Sequence, residues 1–179
     1  MRKLMFAAVV GGSLLVALVA GSFAFAKDDH GGNVKTRLTS YNETPLTLST
    51  TGKGTFRAHI NAGAKTIAYT LTYEGLEGGN TLFAHIHLGR TATSGGVAAF
   101  LCGGGSEPGA CPNVSGTVTG TITEAEVIGP AGQGIAAPTA FDELVRAIRA
   151  GATYVNVHTT TYPGGEIRGQ LKGHGRGHD

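Results

Sequence analysis

Short runs of alternating apolar and polar residues dominate the chain from Val34 onward. Val34, Thr36 and Leu38 alternate with Lys35 and Arg37. Phe56, Ala58 and Ile60 alternate with Thr55, Arg57 and His59. Ile67, Tyr69, Leu71 and Tyr73 alternate with Thr66, Ala68, Thr70 and Thr72. A period of two places alternate side chains on opposite faces of a strand, so each run predicts a half-buried strand. Asn61-Ala62-Gly63-Ala64 joins the second and third runs as a hairpin. Val97, Ala99 and Leu101 predict a short strand. Val114, Val118 and Ile122, with Gly116 and Gly120 between them, predict another.

Two later stretches carry most of the chemistry. In Phe83-Ala84-His85-Ile86-His87-Leu88-Gly89, Leu82, Ala84, Ile86 and Leu88 share one face, which leaves His85 and His87 on the other. In Tyr154-Val155-Asn156-Val157-His158-Thr159, Val155 and Val157 point inward while Asn156 and His158 point out. The strand that follows puts Ile167 and Leu171 in, and Glu166, Arg168 and Gln170 out. About eight strands at turn-punctuated spacing predict an all-β fold, an antiparallel β-sandwich of Greek-key, immunoglobulin-like or superoxide-dismutase-like type. One segment departs from this period. Phe141, Leu144, Val145 and Ile148 follow helical spacing, with Thr139 as a cap, Asp142 three residues on, and Gly151 as a stop. This predicts a single short helix near residues 140–150.

Residues 1–26 read as a signal peptide. Arg2 and Lys3 precede an apolar run, and Ala24-Phe25-Ala26 has the small-residue pattern of a cleavage site. The expected location is therefore secreted or periplasmic, with no membrane span after cleavage. Without Arg2 and Lys3, the fourteen basic residues fall to twelve, against twelve acidic ones. The balanced charge shows no basic stripe along the sequence, and nucleic acid is not an expected partner. Export makes a disulfide between Cys102 and Cys111 the expected state, across a spacer of turn-forming residues. The ends are Gly- and His-rich, and residues 173–179 are expected to form a disordered tail. His174 and His178 can hold metal only weakly there, and His30 stands one position beyond an amino-terminal copper motif.

The ordered motifs resemble those of the CHRD domain, the module repeated in chordin and found singly in exported bacterial proteins. The likeness spans residues 33–172. It rests on Leu38-Thr-Ser-Tyr-Asn-Glu-Thr-Pro45, on Leu71-Thr72-Tyr73-Glu74-Gly75-Leu76 followed by Ala84 to Gly89, and on Phe141 to Leu144, Tyr154 to Thr159 and Pro163 to Leu171. The resemblance implies an all-β domain. It implies no general activity, and in chordin the module belongs to an extracellular protein that binds growth factors. The loop from Cys102 to Cys111 departs from the family pattern.

The polar face admits two readings. His85, His87 and His158 can form a three-nitrogen site for zinc or copper, with Glu166 as a fourth ligand or as an acceptor for an imidazole N–H. A His-x-His strand in a β-sandwich is also similar to that of copper–zinc superoxide dismutase, but that enzyme's further His and Asp ligands have no counterpart here. Alternatively His85, His87, Asn156, His158, Glu166 and Arg168 form a structural hydrogen-bonding network. No catalytic residue is assigned. The expected function is a non-enzymatic binding or structural module with an extracellular or envelope partner, the alternative being a metal-binding, redox-active protein. His59 is expected to be solvated.

Overall fold

The computed structural model describes residues 32–104 and 109–172. The expected signal peptide, both polar ends and the middle of the Cys102–Cys111 loop lie outside the described residues. The alternating runs form strands β1 (Gly32–Thr39), β2 (Lys53–Asn61), β3 (Thr66–Glu74), β4 (Thr81–Leu88), β5 (Val97–Cys102) and β6 (Gly116–Thr123). Helix α1 (Ala140–Arg149) follows, then β7 (Thr153–Thr159) and β8 (Ile167–Leu171). All strand pairs are antiparallel. The strands form one sheet in the order β5-β4-β7-β8-β1-β2-β3-β6.

That sheet wraps into a sandwich-like near-barrel. Its two halves are joined where β1 runs beside β8, with Thr39 opposite Arg168 in the ladder. On the far side the Tyr69 hydroxyl donates to the Leu101 carbonyl at 2.8 Å, joining β3 to β5. The inward residues of both halves share one core. Leu38, Phe56, Ile67, Leu71 and Tyr73 come from one half, and Ala84, Ile86, Leu101, Val155, Val157 and Ile167 from the other.

The helix has the expected apolar stripe, with Phe141, Leu144, Val145 and Ile148 buried. Gly151 stops it in the left-handed region (φ 64°), where a residue without Cβ carries no steric cost. The expected Thr139 cap is not used, because its side chain makes no capping bond and Glu143 N–H donates to its backbone carbonyl. Val114 is not part of a strand. It takes a positive φ of 63° and is exposed, and β6 begins at Gly116. Among the described residues, no helix is long and apolar enough to cross a membrane. Cys102 and Cys111 form a disulfide, with their Cα atoms 5.0 Å apart.

Candidate functional site

Strand register assembles the polar face row by row. Across β4 and β7, Phe83 lies opposite His158, His85 opposite Asn156, and His87 opposite Tyr154. Across β7 and β8, Asn156 lies opposite Arg168 and Tyr154 opposite Gln170. The alternation expected for β4 and β7 therefore holds, and His85, His87 and His158 come together. The face is not open to solvent, however. His85, His87 and His158 are only 6–7% exposed, Asn156 2% and Arg168 3%. Every residue of β7 is buried, so that strand is covered on both sides.

The cover consists of irregular segments, and the polar side chains hold it down. Arg168 donates through Nη2 to the carbonyls of Arg90 (2.9 Å) and Thr93 (2.8 Å), and through Nη1 to Thr44 Oγ1 (2.5 Å). Its guanidinium carbon lies 3.4 Å from the centre of the Tyr154 ring, a cation–π contact. Tyr154 also stacks on His87 with an interplanar angle of 2° and centroids 4.8 Å apart. Asn156 Nδ2 donates to Glu43 Oε1 at 2.6 Å and to the Ile167 carbonyl at 3.1 Å. Burial raises the Glu43 carboxyl to a pKa of about 7, against the opposing pull of Arg168 and the bond from Asn156.

The imidazole protons follow from their partners. A carbonyl oxygen can only accept, so His87 Nδ1 carries a hydrogen toward Gly95 O (3.0 Å). His158 Nδ1 likewise donates to Pro163 O (3.0 Å). In neutral His158, Nε2 is then a bare acceptor, and it receives the Nδ1 hydrogen of His85 at 3.1 Å. By the same bookkeeping His85 Nε2 and His87 Nε2 hold lone pairs. Both atoms are buried and have no hydrogen-bond partner. Burial keeps the rings neutral. It depresses His85 to about 3, with the neighbouring His158 and His87 adding to the effect, and His87 to about 4. The His158 pKa is also lowered, chiefly by burial.

One ligand atom from each ring lies within 4.8 Å of the others. A tetrahedral zinc with nitrogens at 2.0–2.1 Å spaces them about 3.4 Å apart. Phe83 stacks on His85, and Phe100 packs edge-on to the same ring.

Glu166 does not join the histidines. Its carboxylate accepts the backbone N–H groups of Glu77 (2.7 Å) and Gly78 (3.0 Å) and the Thr159 hydroxyl (2.8 Å). The strict alternation of β8 begins at Ile167, and Glu166 N–H bonds Val157 O at the turn before it. Parity therefore does not reach position 166, and the side chain anchors the loop at 77–78. Two residues of the site were not legible as such. Glu43 sits beside a 3₁₀ turn where no periodicity exists, and Tyr154 reads only as a strand residue until register pairs it with His87. His59 is exposed, as expected, and bonds Asn33.

No curated protein and no solved structure matches the chain. Residues 34–171, nearly all of the described domain, match the CHRD domain family. The chain belongs to the CHRD domain family.

Proposed function

We propose that this chain is an exported, non-enzymatic CHRD-domain binding module whose buried polar face holds one zinc or copper ion through His85, His87 and His158. One observation carries the metal reading: His85 Nε2 and His87 Nε2 are buried acceptors without donors, beside a third imidazole. An unpartnered buried acceptor costs roughly 1–3 kcal/mol, and a bound cation removes that cost at both atoms. The carbonyl bonds from His87 Nδ1 and His158 Nδ1 make Nε2 the ligating nitrogen of each ring, the arrangement that orients metal-bound histidines elsewhere; in His158 a metal would replace the hydrogen received from His85. Low imidazole pKa values favour the neutral, ligating form. The Cys102–Cys111 disulfide supports export, because such bonds persist in oxidising compartments.

The second reading is a hydrogen-bonded network that locks the polar face, serving a binding or structural module without metal. The 3.1 Å contact between His85 and His158 favours it, since it satisfies one pair with no ion. Metal titration of the mature chain, with His30, His174 and His178 replaced by Ala, separates the two. The expected result is one equivalent of zinc or copper, lost in His158→Ala. No binding at micromolar metal leaves the network reading.

A further inference from the structure

The second surface of interest lies on the opposite half of the molecule, on the outward face of β1, β2 and β3. Register places Lys35 directly opposite Arg57. Like charges facing each other across an antiparallel pair are destabilising. Arg37 stands two residues along β1, and Lys172 joins the same shallow groove. A neighbouring groove is lined by Asn33, Lys35, Arg57, His59, Ala68 and Thr70, where the small Ala68 leaves a hollow between the strands. No carboxylate lines either groove. Other basic side chains are placed differently. Lys53 pairs with Glu74, Lys65 with Glu124, and Arg146 with Glu143. Arg168 is buried in the polar face. Among the described residues, Lys35, Arg37, Arg57 and Lys172 have no acidic partner.

We propose that this face binds a linear acidic polysaccharide that bears carboxylates. The four cations come from positions 35, 37, 57 and 172, so only the sheet register reveals them as a group. Around them stand hydroxyl and amide groups that can bond sugar hydroxyls: Thr55, Thr70 and Asn33. The exposed large apolar residues, Tyr41, Leu46, Phe83, Val114 and Ile128, lie outside both grooves. A membrane surface or a protein partner uses apolar anchors, and single-stranded nucleic acid uses exposed aromatic platforms. The face offers charge and hydroxyls, which suits a hydrated acidic polymer.

The test uses the mature chain and polygalacturonate as the probe, with neutral dextran as control. Binding is expected to polygalacturonate alone and to weaken as salt rises. The double variant Lys35→Gln/Arg57→Gln should lower affinity by about tenfold or more, while Lys53→Gln leaves it unchanged. Arg57→Glu puts an opposite charge beside Lys35. It should abolish binding while raising the melting temperature, a pairing that loss of folding cannot produce. Three results would overturn the proposal: no binding at low salt, binding that survives the double variant, or tighter binding of single-stranded DNA or anionic phospholipid vesicles through the same residues.

Discussion

His85 Nδ1 lies 3.1 Å from His158 Nε2, and this contact fixes where both rings carry their protons. Pro163 O takes the hydrogen of His158 Nδ1, so the hydrogen between the rings belongs to His85. Together with His87, the site then holds three neutral imidazoles of the Nδ1–H form. In water the Nε2–H form is preferred, so this population is a signature of the site. Imidazole nitrogen NMR of the metal-free protein should show Nδ1–H tautomers for all three, with His85 and His87 remaining neutral at pH 5. Nε2–H tautomers at His87 or His158 would contradict the assignment.

Stability against pH follows from two opposed sets of groups. The folded pKa values of His85 (about 3) and His87 (about 4) lie below the ordinary 6.5. Between these limits the unfolded chain binds protons that the folded chain does not, so stability falls as pH drops below 6.5. Glu43 works in the other direction. Its folded pKa of about 7 exceeds the ordinary 4.5, so the folded chain holds the extra proton between pH 4.5 and 7, and stability falls as pH rises through that window. The histidines outnumber the single carboxyl, and net acid destabilisation is expected. Glu43→Gln removes the offset, worth roughly 3 kcal/mol at most. Its melting temperature should therefore drop more steeply than that of wild type from pH 7 to pH 5. Parallel curves would show that Glu43 is not protonated in the fold.

The disulfide closes a loop from Cys102 at the end of β5 to Cys111 ahead of β6. These are the two edge strands of the sheet. Loop-closure entropy gives the bridge about 2–3 kcal/mol. The double variant Cys102→Ser/Cys111→Ser should lose stability in that range by urea denaturation. Thiol titration of the unfolded, unreduced protein should find no free thiol. Retention of full stability in the double variant would show that the edges need no tie.

The sequence made the strands, the helix and the convergence of the three histidines legible, because each rests on local period and on parity within a strand. What it concealed depends on register or on irregular backbone. Arg168 reads as an outward cation, yet it is buried because the carbonyls of Arg90 and Thr93 and the hydroxyl of Thr44 close over it. No pattern in residues 90–96 announces that cover. Glu43 gains its role only through Asn156, more than a hundred positions away. Alternation puts Glu166 on the polar face, but the turn before β8 interrupts that parity. Lys35 and Arg57 look like ordinary solvent-face residues until pairing sets them opposite each other.

Gly165 offers the sharpest test that the turn before β8 shapes the site. It has φ of 129°, a region that residues with a side chain rarely adopt. A Cβ built there would lie 2.3 Å from Asn156 Nδ2 and 2.6 Å from Asn156 Oδ1. Asn156 would have to move, which releases Glu43, and the turn carrying the Pro163 carbonyl would shift away from His158. Backbone strain and overpacking together should cost about 2–4 kcal/mol in Gly165→Ala. Gly164→Ala is the matched control, because its Cβ would meet no atom within 4 Å. The Gly164 variant should keep wild-type stability and the Nδ1–H signal of His158, while the Gly165 variant loses both. Equal behaviour of the two alanine variants would mean that the turn does not position the imidazole, and that His158 owes its orientation to β7 alone.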